Sequence, residues 1–296
     1  MDLISIDDLR DDQIETILDK GLRYFEDNRS TAPRPTELAR RIVFNLFYEN
    51  STRTLMSFAA ATLRLGASPL SLPVAQSSVK KGETLDDTAR TLNAMRPDLL
   101  VIRHQENGAP ARVAEILEAP VVNAGDGTNE HPTQALLDAA TIRHSVGRIE
   151  GVKVAICGDI KHSRVARSNA MLLPRLGAQV RLAGPPELMP DGEQALTVDE
   201  AISGADVVMM LRVQRERMEA ELGDRPGEYL ERYGLTAGRL ATAAPEALVM
   251  HPGPMNRGVE IDDAIADDPQ RSLITTQVEV GVAVRMACLE LLLQQG

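Results

Sequence analysis

The sequence predicts an α/β protein of two doubly wound parallel-sheet domains joined by helices. Three observations carry that expectation. The apolar runs are short and mostly apolar on both faces, helical patterns with readable ends stand between them, and 296 residues is enough chain for two separate cores. The strand candidates are 42–47, 98–102, 120–123, 152–157, 179–183, 205–211 and 247–250. Strands covered by helices on both faces read this way. A helix over 52–65 is predicted from Leu55, Phe58, Ala59, Leu63 and Leu65, with Gly66 as its stop. Thr84 with Asp87, and Thr197 with Glu200, have the spacing of a capping box. Pro132 suits a first helical position, and Gly147 ends the helix that begins there. The alternation of elements implies mainly parallel sheets. A boundary is expected near 145–151, giving domains 1–146 and 147–275. By pattern alone the last helix, 276–293, suits either half.

Composition narrows the function. Apolar residues make up 43% and charged residues 25%, which is the globular range. A net charge of -11 argues against nucleic acid as a partner, because that affinity rests on clustered Lys and Arg. Any anionic substrate must meet a local basic pocket on an acidic body. Cys157 and Cys288 sit far apart in apolar segments, which fits a reducing compartment better than a disulfide framework. The acidic N-terminus reads as no signal peptide, and no apolar run approaches the roughly 20 residues of a membrane span. A cytoplasmic protein with no membrane partner is expected.

In open α/β sheets ligands bind beyond the carboxyl ends of the strands, so the residues after each strand matter most. Ser51-Thr52-Arg53-Thr54 follows the first strand and opens a helix; Arg103-His104 follows the second; His131-Pro132-Thr133-Gln134 follows the third. In the second half Ser163-Arg164, Arg212-Val213-Gln214 and His251-Pro252-Gly253-Pro254 hold the corresponding places. A helix N-terminus carries partial positive charge and free N–H donors, so an acidic residue belongs there. Arg53 is the wrong sign for that place unless an anion joins it, and a phosphate would collect N–H, hydroxyl and guanidinium donors together. An ordinary Ser or Thr cap with Arg53 reaching to solvent accounts for the segment equally well by itself. Ser163-Arg164, a second basic helix start, favours the anion. No Gly-x-x-x-x-Gly-Lys-Ser/Thr loop, no Gly-x-Gly-x-x-Gly after a predicted strand and no metal-ligand spacing is present, so neither nucleotide cofactors nor a metal is expected.

Phe47-Tyr48-Glu49-Asn50-Ser51-Thr52-Arg53-Thr54 resembles the carbamoyl-phosphate signature of the carbamoyltransferases, and His131-Pro132-Thr133-Gln134 resembles their second signature. The resemblance continues in order through Lys80-Lys81-Gly82-Glu83-Thr84, 158–168, Arg212-Val213-Gln214 and His251-Pro252-Gly253-Pro254, almost the whole chain. The ornithine branch of that family typically has His-Cys-Leu-Pro at the last position and a Ser-Met-Gly loop. Neither is present, and the resemblance is to the aspartate branch.

That resemblance implies transfer of a carbamoyl group from carbamoyl phosphate to L-aspartate without a cofactor. It assigns Ser51, Thr52, Arg53 and Thr54 to the phosphate, and Arg103 to phosphate and carbonyl oxygen. Thr54 and His131 would serve the carbonyl oxygen, and Gln134 with the Gly253 and Pro254 carbonyls the carbamoyl NH2. Arg164, Arg212, Gln214 and Lys81 would take the aspartate carboxylates, and 215–233 would close over them. Ser77 and Lys81 would reach a neighbouring subunit's site, implying a homotrimer, which regulatory chains or a dihydroorotase could join. The C-terminal helix would return to the N-terminal domain. For several of these residues a plainer reading stands alongside: a strand-end surface arginine for Arg103, a capping or core histidine for His131, a solvated charge run for Arg212, an exposed loop tip for Ser77 and Lys81. Two further functions remain open at this stage, a carbamoyltransferase for another amino acid and a non-catalytic scaffold.

Overall fold

The structure, a computed structural model, describes residues 1–30, 38–72, 82–192, 196–213 and 226–294. The chain forms two compact units, Met1–Ala140 with Val278–Gly296, and Thr141–Gln277.

The first unit holds a four-stranded parallel sheet, β1 (Ile42–Phe47), β2 (Ser68–Leu72), β3 (Leu99–His104) and β4 (Val121–Asp126), in the order β2-β1-β3-β4. Its helices are α1 (Asp11–Arg29), α2 (Thr52–Arg64), α3 (Leu85–Ala94), α4 (Ala109–Ala114) and α5 (Pro132–Val146), whose last residues pass into the second unit. On one face Leu46, Leu100, Ile102 and Val121 pack against Ala89 and Leu92 of α3 and Val113 of α4. The sequence reading missed β2. Its segment, Ser68-Pro69-Leu70-Ser71-Leu72, contains a proline and two serines and shows no apolar run, because it is a half-exposed edge strand. A missing backbone N–H is tolerated at an edge. β3 also runs further than the expected 98–102, so Arg103 and His104 lie on the strand itself. Thr84 caps α3 as predicted, accepting from the Asp87 N–H at 3.2 Å.

The second unit repeats the plan. Strands β5 (Lys153–Cys157), β6 (Gln179–Ala183), β7 (Val207–Met210) and β8 (Leu248–Met250) form a parallel sheet in the order β6-β5-β7-β8. The helices are α6 (Arg164–Arg175), α7 (Val198–Ile202), α8 (Pro226–Tyr233), α9 (Ala237–Leu240) and α10 (Asp263–Ala266). Ala155, Cys157, Val208, Met210 and Val249 share a core with Ala201 and Ile202 of α7. The predicted capping box of α7 is present in full, with Thr197 and Glu200 each holding the other's backbone N–H. At the strand ends, a Cβ on Gly184 would lie 2.1 Å from the Gly158 carbonyl oxygen, so the β5 and β6 exits approach as only glycine permits. The charged stretch 215–233 is not a loop throughout. Its last part is α8, anchored by Tyr229, which is fully buried with Leu188, Val213 and Val259.

The long last helix, α11 (Ile274–Gln294), belongs to the first unit from Val278 onward. A Cβ on Gly21 of α1 would meet Val284 Cγ2 at 2.9 Å, so the two helices are in close contact. Tyr24 Oη donates to Glu290 at 2.9 Å, and Arg29 forms a two-pronged pair with Glu279. The C-terminal helix therefore packs on N-terminal helices. Among the described residues no helix is long and apolar enough to cross a membrane. Cys157 and Cys288 are buried free thiols, and burial pushes each up to about 12.

Candidate active site

Each sheet has one place where the strand order reverses, and ligands in open α/β sheets sit outside the carboxyl ends there. In the first unit the reversal falls between β1 and β3. The start of α2 follows β1, and Arg103 is the penultimate residue of β3, so both occupy that crevice edge. β4, the next strand, leads into α5 through His131.

The start of α2 departs from an ordinary cap. Ser51 occupies the N-cap position in extended conformation, yet its side chain makes no cap hydrogen bond. Its hydroxyl donates to Thr54 Oγ1 at 2.9 Å instead. The first turn carries no acidic residue. Arg53 Nη2 is buried without a hydrogen-bond partner among the described residues, and desolvation holds its guanidinium below the usual range. Uncapped N–H groups beside a partly buried, unpartnered cation are costly unless an anion completes them.

Arg103 donates through Nη2 to Glu49 and through Nη1 to the Ala124 carbonyl at 3.3 Å, while its own carbonyl accepts from the Tyr48 N–H at 2.9 Å. Arg103 is therefore a held strand-end group that ties β3 to the β1–α2 loop, rather than a free surface arginine. Next to it His104 packs edge-on to Tyr48, with ring centroids 4.7 Å apart, and accepts the Glu106 N–H on Nδ1. Burial lowers the His104 pKa. The β4–α5 loop is braced by Asp126, which accepts from Asn123, from the Gly108 N–H at 2.8 Å and from the Glu130 N–H at 3.0 Å. That loop delivers His131 and Gln134, 3% and 8% exposed, to the first turn of α5. Gln134 Nε2 donates to Asp138 Oδ1 at 3.0 Å.

In the second unit the reversal falls between β5 and β7. α6 opens with Arg164 after β5, and Arg212 follows β7 with an exposed side chain. The parallel drawn from sequence between the two basic helix starts is incomplete. Ser163 does cap α6, accepting from the Ala166 N–H at 3.1 Å, so its first turn lacks the open donor set of α2. Beyond β8, His251 Nδ1 accepts from the Gly253 N–H at 2.8 Å, which places the ring proton on Nε2, facing Glu260 Oε1 at 3.2 Å. Asn256 Nδ2 reaches the Val213 carbonyl at 2.8 Å, so the segment carrying Gly253 and Pro254 is tied to the residue beside Arg212. Ser77, Lys81 and Gln214 lie outside the described residues. Among the described residues no cluster of three or more His, Cys, Asp or Glu could hold a metal.

Glu49, Asp138, Glu260 and Asn256 were not singled out from sequence. Nothing in local spacing marks them; each gains its place by a contact made through the fold, save Asp138, which stands at helical spacing from Gln134.

The fold and the basic groups collected at its strand ends define a doubly wound α/β enzyme. Residues 1–144 match the family model described as aspartate/ornithine carbamoyltransferase, carbamoyl-P binding domain, and residues 150–292 match the Asp/Orn binding domain of the same family. The chain belongs to the aspartate/ornithine carbamoyltransferase family. It is 56% identical over 299 residues to the aspartate carbamoyltransferase catalytic subunit of Granulibacter bethesdensis, covering 99% of this chain and 95% of the relative. It is also 56% identical over 296 residues to the protein of that name from Rhizorhabdus wittichii, covering 98% and 94%. Among solved structures, aspartate transcarbamoylase from Trypanosoma cruzi in complex with N-(phosphonacetyl)-L-aspartic acid superposes with a TM-score of 0.87 at 31% identity, covering 97% of this chain and 94% of that one. Ornithine carbamoyltransferase from Pyrococcus furiosus superposes with a TM-score of 0.88 at 28% identity, covering 99% and 97%.

Proposed function

We propose that the protein transfers the carbamoyl group of carbamoyl phosphate to the amine of L-aspartate, giving N-carbamoyl-L-aspartate and phosphate, the carbamoylation step of pyrimidine synthesis. The observation that carries the reading is the start of α2, an uncapped helix N-terminus at a strand-order reversal, where Arg53 Nη2 is buried without a hydrogen-bond partner among the described residues. The near full-length relatives at 56% identity supply the acceptor.

The phosphate of carbamoyl phosphate belongs to the first unit in this reading. The N–H groups and hydroxyls of Ser51, Thr52 and Thr54 and the guanidinium of Arg53 receive the phosphate, and Arg103 reaches phosphate and carbonyl oxygen. The neutral amine of aspartate attacks the carbonyl carbon. The new C–N bond forms, negative charge gathers on the carbonyl oxygen, the C–O bond to phosphate breaks, and the leaving phosphate takes the amine proton. Thr54, Arg103 and His131 stabilise that oxygen, a role worth about 3 kcal/mol per donor in comparable sites. Gln134, with the carbonyls of Gly253 and Pro254, accepts from the carbamoyl NH2. Arg164 and Arg212 hold the two carboxylates of aspartate, and Lys81 and Gln214 support them. Nothing in the chemistry requires a cofactor.

The fold itself does not choose the acceptor, since an ornithine enzyme superposes as well as an aspartate enzyme does. The side chains do. Ornithine's ammonium would need a carboxylate, whereas two carboxylates call for arginines such as Arg164 and Arg212. With carbamoyl phosphate supplied, phosphate release is expected with aspartate and not with ornithine. Release with ornithine alone would refute the assignment.

The proposal extends to a cytoplasmic homotrimer in which Ser77 and Lys81 complete a neighbour's site. Met56 and Leu63, two turns apart on α2, are 61% and 59% exposed, which supports association through this unit. Mixing Arg53→Ala chains with Lys81→Ala chains is expected to restore part of the activity that neither homogeneous variant has. Reassociated hybrids with no recovered activity would mean that each site is built from one chain.

A further inference from the structure

We propose that Asp138 is a positioning residue that fixes which edge of the Gln134 amide meets the ligand, and thereby selects a carbamoyl group over an acetyl group of the same shape. The inference rests on the reading of the first turn of α5 as the receiver of the carbamoyl NH2.

Gln134 and Asp138 stand one turn apart on α5, 8% and 0% exposed, joined by the bond from Nε2 to Oδ1 at 3.0 Å. An ionised carboxylate only accepts, so the amide has one orientation open to it, with NH2 toward Asp138 and Oε1 turned away. A buried cation, Arg285, interacts electrostatically with this carboxylate. Arg285 of α11 is 4% exposed, donates through Nη1 to Ser57 Oγ at 2.8 Å and to the Gly281 carbonyl at 3.3 Å, and lies 5.1 Å from the Phe58 ring centre. Burial pushes its guanidinium down to about 10, with Cys288 and Asp138 opposing that shift and Arg103 adding to it, so it stays charged at neutral pH.

The consequence is chemical selectivity. A glutamine free to turn offers NH2 or C=O to a ligand with equal ease. An NH2 edge would suit any phosphate or carbonyl oxygen. A fixed Oε1 edge suits only a donor. Carbamoyl phosphate has an NH2 where acetyl phosphate has a methyl, so an imposed acceptor separates the two. A methyl there leaves Oε1 desolvated and unpaired.

The test is the affinity of the full chain for carbamoyl phosphate, acetyl phosphate and inorganic phosphate, measured by calorimetry on the wild type, Asp138→Asn, Asp138→Glu and Gln134→Met. The wild type is expected to prefer carbamoyl over acetyl phosphate by at least about tenfold. Asp138→Asn can donate to Gln134 and lets the amide turn, so the preference should shrink to about twofold while inorganic phosphate binds as before. Asp138→Glu keeps the charge, moves the acceptor by one methylene, and should give an intermediate ratio. A folded Asp138→Asn protein that weakens all three ligands in parallel, or keeps the full preference, would overturn the proposal while leaving the carbamoyl-transfer reading intact. A wild type with no preference, or a Gln134→Met protein that keeps it, would remove the reading of α5 on which the proposal stands. If neither Asp138 variant folds, the side-chain amide of Gln134 decides the matter by ¹⁵N NMR of the wild type. Its NH2 should stay protected from exchange when carbamoyl phosphate binds, and loss of protection on binding would count against Asp138.

Discussion

Arg53→Ala is expected to abolish most of the activity while leaving the protein at least as stable as before. The two effects have one cause. Arg53 puts a positive charge on the positive end of α2, partly desolvated and with Nη2 unpartnered among the described residues, in a turn that Ser51 does not cap. Removing a cation from a helix N-terminus gains about 0.3–1 kcal/mol, so the melting temperature should hold or rise slightly. With carbamoyl phosphate bound the same cation faces the phosphate and the charge that grows on it as the C–O bond breaks. Losing it should cost at least about 10²–10³-fold in kcat/KM, the scale seen when a group aimed at developing charge is deleted. Arg53→Lys should recover little, because a point charge cannot replace the planar fork. Thermal melting and steady-state kinetics on the same preparations check both halves. A variant that melts far below the wild type, or turns over at a near wild-type rate with saturating substrate, would mean that Arg53 serves the fold instead.

Replacing Arg212 should produce a different signature. Its exposed side chain follows β7 at the second sheet's reversal, and it needs a carboxylate only when aspartate arrives. Two charge-assisted hydrogen bonds of about 1.5–3 kcal/mol each set the scale, so Arg212→Ala should lower kcat/KM for aspartate by about 10²–10⁴-fold. The dissociation constant of carbamoyl phosphate should not change, since Arg212 is not among its proposed ligands. A variant that loses both substrates together would show that Arg212 acts through the structure of β7 and its neighbours. Equal loss for aspartate and for an acceptor with one carboxylate would show that the second carboxylate is read elsewhere.

Much of the architecture was legible because strands of a helix-covered parallel sheet write themselves as short, mostly apolar runs; seven of the strands were found that way, among them β6, Gln179-Val180-Arg181-Leu182-Ala183, which is only half-buried. β2 was not. As an edge strand it needs neither an apolar run nor every backbone N–H, and Pro69 is allowed in it. Caps were legible where the residue capped its own helix, as at Thr84 and Thr197. The start of α2 was half legible. Its residue types pointed to an anion, but the diversion of the Ser51 hydroxyl to Thr54 is set by geometry that no spacing rule contains. The partners of the reactive groups were the least legible. Glu49 meets Arg103, Asn256 meets the Val213 carbonyl and Arg285 meets Ser57 across 54, 43 and 228 residues of chain. Such pairs exist only once the strands are in register and the last helix has returned to the first unit. Asp138 is the instructive exception, since a glutamine and an aspartate at helical spacing could have been paired from sequence.

The most direct measurement follows the carbamoyl carbon. With ¹³C-carbamoyl phosphate and L-aspartate, the purified protein should move the label to the aspartate nitrogen and release one phosphate for each N-carbamoyl-aspartate formed, and Arg53→Ala should do neither at a comparable rate. Phosphate released with no label on aspartate, or label appearing on ornithine but not on aspartate when both amino acids are supplied together, would contradict the proposed reaction.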